Sequence, residues 1–192
     1  MNGSSRDVIL GRIREGLGRE MPSAVESPEV RLRPAASERE DRIAMMLDRL
    51  EAVGGDAVRV PDLAAVRDYV ARVTGGADTV ASNSPYLETS GITGLPGILT
   101  GFGTEAAVRE ACAAARFGVT AADYALADTG TLVLLASSEA RLISLLPPVH
   151  IAVLAADRLL GGLDDLFALV PKPADLSSSM VFVTGPSRTG DI

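Results

Sequence analysis

The sequence predicts an α/β fold, a mixed and mostly parallel sheet flanked by helices, on three observations. Strand-like apolar segments alternate with helical ones from about residue 57 onward. Runs such as Thr131–Ala136 and Ile151–Ala155 are apolar without alternation, as strands covered on both faces should be. The strands expected at Val119–Ala125 and Thr131–Ala136 are joined through Asp128-Thr129-Gly130, too short a link for a crossover helix, so that sheet cannot be wholly parallel. No internal repeat is visible.

The elements follow in order. Residues 5–18 read as a short amphipathic helix, with Ile9, Ile13 and Leu17 on one face. Residues 21–37 hold three prolines and mixed charge without periodicity, which reads as a linker or arm, so residues 1–36 are expected to be an appendage and 37–192 the compact domain. Ser37 and Glu40 have capping-box spacing ahead of a helix that stripes Ile43, Met46, Leu47, Leu50 and Val53 and stops at Gly54-Gly55. A strand at Ala57–Val60 precedes a helix at Asp62–Val73 burying Leu63, Val66, Val70 and Val73. Strands at Thr79–Ser82 and Ile98–Gly101 bracket a turn-rich stretch, and a helix from Thr104 to Phe117 buries Val108, Ala111, Cys112 and Ala115. After the Val119–Ala136 pair, a strand at His150–Ala155 follows the Pro147-Pro148 break. Asp157 is expected to cap a helix carrying Leu160, Leu163, Phe167 and Val170, and Met180–Thr184 is the last strand.

Composition excludes several chemistries. At 192 residues, 47% hydrophobic and 22% charged, the chain can bury a core, built from aliphatic residues because aromatics are only 4% and tryptophan is absent. A net charge of -7 argues against nucleic acid as the main partner, since phosphate neutralisation needs clustered cations. Lys172 is the only lysine, which removes Schiff-base chemistry elsewhere. One cysteine, Cys112, and one histidine, His150, cannot by themselves hold an iron–sulfur cluster or a structural zinc, nor form an internal disulfide, so no metal or cofactor is expected on this chain. The N-terminus lacks a secretory h-region and the apolar stretches are too short to span a bilayer, so a cytoplasmic protein is expected.

Three loops carry candidate chemistry. In Asp128-Thr129-Gly130-Thr131 the hydroxyls and the N–H groups around a flexible glycine could cradle a carboxylate or phosphate, or they could simply close a tight turn. Ser137-Ser138-Glu139-Ala140-Arg141 offers a bidentate guanidinium for an anion, or a solvated charge, and His150 nine residues on is either an acid–base group or a structural hydrogen-bonding one. Gly185–Asp191, with Ser187, Arg188 and Thr189 directly after a strand, is either an anion loop or a flexible end. Glu88 and Glu139 could act as carboxylate nucleophiles or bases, although nothing local pairs them with a partner. Dinucleotide, Walker and nucleophile-elbow motifs are absent, and Cys112 falls on a buried helix face where a thiol is inert.

Residues 118–154, GVTAADYALADTGTLVLLASSEARLISLLPPVHIAVL, and residues 183–192, VTGPSRTGDI, together resemble the LUD domain, and within it the lactate utilization protein C (LutC/YkgG) family. The resemblance covers roughly residues 37–192. It implies a three-layer α/β/α sandwich like the NagB/RpiA/CoA-transferase group. It further implies a role in oxidation of L-lactate to pyruvate beside two partner proteins that carry iron–sulfur clusters. The family's motif positions fall on Asp128, Thr129, Gly130, Thr131, Arg141, Pro147, His150, Ser187, Thr189 and Asp191, a candidate site for a small carboxylate or a phosphorylated group. Gly190 stands where the family has Ala, and family members continue past Asp191-Ile192 with a further strand that this domain is expected to lack. Two other readings stand beside it: a stand-alone enzyme of CoA-transferase or formyltetrahydrofolate cyclo-ligase type, with Glu139 as the nearest carboxylate, and a carboxylate-sensing module.

Overall fold

Short apolar segments with no polar face fold here as strands covered on both sides, and the computed structural model of the chain describes them within residues 5–18, 38–135, 138–171, 177 and 179–186. The chain divides into two units, residues 1–34 and 35–192. In the first, helix α1 (Ser5–Leu17) exposes Ile9 and Ile13. The linker expected at 21–37 lies outside the described residues.

Among the described residues the larger unit contains two four-stranded sheets. Sheet A has the order β2-β1-β3-β6, from β1 (Thr79–Ala81), β2 (Ile98–Leu99), β3 (Phe117–Ala121) and β6 (Val149–Val153), and every neighbouring pair is parallel. Sheet B has the order β7-β4-β5-β8, from β4 (Tyr124–Leu126), β5 (Thr131–Leu135), β7 (Leu159–Leu160) and β8 (Met180–Val183). There β4 runs antiparallel to β5 and parallel to β7, and β5 runs antiparallel to β8. The pairing is therefore mixed as expected, but all the antiparallel pairs are gathered in one of two sheets. The expected strand Val119–Ala125 is in fact two. Ala122 donates its N–H to the Val153 carbonyl of sheet A, while Asp123 donates to the Val133 carbonyl of sheet B and its carboxylate accepts from the Leu135 N–H at 2.7 Å. The chain changes sheets between these two residues because their backbone groups are satisfied on opposite sides.

Each sheet is covered on both faces, which gives three α/β/α layers. Successive residues of a strand point to opposite faces, so Ala81 and Val119 meet α3 (Leu63–Thr74) and α4 (Pro85–Thr89) through Val70 and Leu87. Val80 points the other way, to Val108 and Cys112 of α5 (Glu105–Ala114) and Leu142 and Ile143 of α6 (Ser138–Leu145). In sheet B, Ala125 packs against Ile43 and Met46 of α2 (Arg39–Ala52), and Leu126 packs against Leu166 of α7 (Leu163–Leu169) and Val170. The apposition of α6 to sheet A requires Gly118, where a Cβ would overlap the Ile143 carbonyl oxygen. Among the described residues no helix is long and apolar enough to cross a membrane.

Several local expectations are corrected. Residues 57–60 form no strand; Val58 is exposed, and Arg59 pairs with Glu40, which therefore does not reach back as a capping-box partner. The N-cap of α2 is Glu38, with no side-chain cap, and Ser37 lies outside the described residues. Val73 is exposed, and Thr74 is buried, donating its hydroxyl to the Val70 carbonyl. Residues 138–141, read as a loop, are the first turn of α6, because Leu142 and Ile143 supply an apolar face that α5 and β1 bury. Asp157 caps no helix: residues 156–158 are a 3-10 turn, Leu159 and Leu160 pair with β4, and α7 begins after Gly162. That shift exposes Leu163 and Phe167 and buries Leu166.

Candidate functional site

Parallel sheets bind ligands at the carboxyl ends of strands where neighbouring connections leave in opposite directions. In sheet A the chain leaves β1 toward β2 on one side, and from β3 it continues toward β6 on the other. At this reversal β1 is followed by Ser82, whose N–H donates to the Val119 carbonyl, and by Asn83. The Asn83 backbone N–H donates to Glu139 Oε1 at 2.9 Å, and its side-chain Nδ2 donates to Oε2 at 3.2 Å. Its Oδ1 accepts from Thr100 Oγ1 at 2.9 Å and from the Gly101 N–H at 2.8 Å. One amide side chain thus ties together the loops after β1 and β2 and the first turn of α6.

The loops are shaped locally. Ser84 Oγ accepts from the Tyr86 N–H at the start of α4, with Pro85 in the first turn where its missing N–H costs nothing. Gly101, at φ 77°, turns the chain out of β2, and Thr104 Oγ1 accepts from the Ala107 N–H to start α5. Between them opens a cavity of about 370 Å³ lined by Asn83, Ser84, Glu88, Thr93, Thr100 and Gly101. Among the described residues the lining holds three hydroxyls, one amide and one carboxylate, and no cation. Burial, with the charge of Asp157 adding to it, raises the Tyr86 phenol. Burial also pushes the Asp123 carboxyl up, against the opposing pull of the Leu135 N–H and Arg158.

The residues expected from the motifs fall in two places. In sheet B, Thr129 Oγ1 and Thr131 Oγ1 share a hydrogen bond of 2.7 Å, and Thr131 Oγ1 shares another of 2.8 Å with Thr184 Oγ1. Gly130, at φ 68°, would be strained by a Cβ, which would lie 2.8 Å from Arg49 Cβ on α2. Asp128 lies over Gly162, where a Cβ would come within 3.0 Å of its Oδ2. Arg141 and His150 belong instead to the layers of sheet A. Arg141 is exposed on α6, and its guanidinium has no partner among the described residues. His150 sits on β6 with Nε2 2.8 Å from Thr120 Oγ1, and burial pushes its pKa down to about 4, so the imidazole is neutral near pH 7. Ser187, Thr189 and Asp191 lie outside the described residues. No sequence motif marks Asn83 or Thr100 as a site residue, and Gly101 reads only as part of a Gly101-Phe102-Gly103 turn, although Asn83-Ser84-Pro85 directly after a buried strand is a readable signal. Glu88 and Glu139 acquire their setting only through the fold. Among the described residues no group of three or more His, Cys, Asp or Glu is placed to hold a metal ion.

A parallel sheet between helical layers, with a polar crevice at its carboxyl end, defines an α/β/α protein of the open-sheet type. The chain belongs to the LUD domain family, whose profile matches residues 43–192. It is 30% identical to a protein of Bacillus velezensis named Lactate utilization protein C, over 97% of this chain and 87% of that one. It is 28% identical to the protein of the same name from Bacillus licheniformis, over 98% of this chain and 88% of the relative. The crystal structure of a DUF162 family protein from Deinococcus radiodurans shares the fold, with a TM-score of 0.63 and 19% identity, covering 77% of this chain and 88% of that one.

Proposed function

We propose that the chain is a cluster-free subunit of a system that oxidises L-lactate to pyruvate, with iron–sulfur proteins as its partners in the cytoplasm. The observation that carries this reading is the 30% identity to Lactate utilization protein C of Bacillus velezensis, which extends over 97% of the chain. Oxidation of lactate releases two electrons and two protons. A chain with a single cysteine and a single histidine has too few ligands of its own for a cluster to accept those electrons, so they pass to partner subunits. Arg141, exposed on α6 and without a partner among the described residues, is the cation we assign to a small carboxylate.

The test is an affinity pull-down of the full chain from its own cells grown on lactate, assayed for bound proteins, iron and lactate-dependent dye reduction. Iron-rich partners with activity that falls in Arg141→Ala support the reading. A single iron-free protein overturns it. A second reading, a stand-alone acyl-transfer enzyme with Glu139 as nucleophile, draws on the way Asn83 fixes that carboxylate at the end of sheet A. Acyl-CoA turnover that disappears in Glu139→Gln would favour it.

A further inference from the structure

We propose that the crevice at the carboxyl end of β1 and β2 binds the hydroxyl face of an uncharged polyhydroxylated group, such as a sugar ring or a ribose. The site goes beyond the lactate reading and does not depend on it. Three observations carry it. The cavity, about 370 Å³, lies in the range of small-ligand pockets and well above the volume of one sugar ring. Its lining pairs hydroxyls at Ser84 and Thr93, which both donate and accept, with Thr100, whose proton goes to Asn83 and which therefore accepts, and the Glu88 carboxylate, which only accepts. The Glu88 carboxylate has no hydrogen-bond partner among the described residues, and its residue is exposed at the cavity, so its lone pairs are open to a ligand.

The charge balance selects the ligand. An anion would meet Glu88 with no cation among the described lining residues to offset it, which disfavours carboxylates and phosphates in this crevice. Ligand hydroxyls fit both halves of the lining, donating to Glu88 and Thr100 and accepting from the Ser84 and Thr93 hydroxyls. The walls are held in place before any ligand arrives. Asn83 Oδ1 fixes Thr100 and Gly101, and Glu139 in turn fixes Asn83, so binding need not order these loops. Asn83 and Glu139 are therefore positioning residues, and Glu88 and Thr100 are contact residues.

The experiment is titration of the ¹⁵N-labelled full chain with D-ribose, followed by amide chemical shifts, with ethanolamine and L-lactate as matched probes. A free ribose should saturate with a dissociation constant on the order of 10 mM, as a ligand of its size allows. Shifts should centre on Asn83, Thr100 and Gly101. In Glu88→Gln, whose exposed side chain leaves the fold intact, the affinity should fall about tenfold, the cost of losing a charged hydrogen-bond acceptor. Absence of saturable shifts with ribose, shifts centred elsewhere, unchanged affinity in Glu88→Gln, or tighter binding of ethanolamine each overturn the proposal. Lactate shifting residues around Arg141 while ribose shifts those around Gly101 would support both readings. Lactate alone would leave the lactate reading standing and remove this one.

Discussion

Two glycine-and-hydroxyl loops, Asp128–Thr131 in sheet B and Thr100–Thr104 in sheet A, look alike as sequence and differ in what faces them. Gly130 and Gly101 both have positive φ, at 68° and 77°. A Cβ on Gly130 would run into Arg49 and the backbone of α2, whereas a Cβ on Gly101 would meet nothing within 4 Å. The hydroxyls follow the same division. Thr129 and Thr131 bond to each other, and Thr131 to Thr184, while Thr100 reaches Asn83 at the mouth of a cavity. Glycine and threonine in a loop therefore say only that the backbone turns and that local donors are satisfied. Whether the turn is closed by a helix or left open to a ligand depends on what the rest of the chain brings against it.

The comparison can be tested by adding one methyl group at a time. The largest effect is expected at Gly118, the close approach within sheet A, where backbone atoms of Ile143 stand in the way. Gly118→Ala should cost about 4 kcal/mol, at the far end of overpacking costs, read as a fall in urea midpoint. Next comes the half-buried His150. Its imidazolium forms near pH 6.5 in the unfolded chain but only near 4 in the folded one. The unfolded state thus binds more protons in between. Stability is full above pH 6.5 and falls as the pH drops toward 4, by about 3 kcal/mol at most. Urea midpoints at pH 7 and 4.5 should show the drop, and His150→Gln should flatten it.

Gly130→Ala combines a positive φ with contact against α2 and should cost about 2 kcal/mol. Gly101→Ala meets the φ penalty alone and should cost about 1 kcal/mol. Equal losses at the two positions, measured by the same denaturation, would erase the distinction between a closed turn and an open rim. Smallest is Glu139→Gln. This exposed network should change stability by under about 1 kcal/mol, yet the amide signals of Asn83 and Gly101 should shift as Asn83 loses an acceptor.

Much of the molecule was legible before folding. The apolar stripe of α2, its stop at Gly54-Gly55, the buried face of α5 and the last strand all follow from periods of 3.6 and from apolar runs, which neighbouring residues specify. Residues 118–154 also carry enough distinctive sequence to point to the LUD domain. Other features depend on partners far along the chain. The break at Ala122-Asp123 follows from two carbonyls in different strands, and α6 is helical where its residues read as a loop because α5 and β1 cover it. Asn83 meets Glu139 across 56 residues of sequence. Hydrophobic periodicity reports the face an element must bury, a local property. Which backbone groups and side chains then meet is a property of the topology, and it is the topology that places a carboxylate, an amide and three hydroxyls at one end of sheet A.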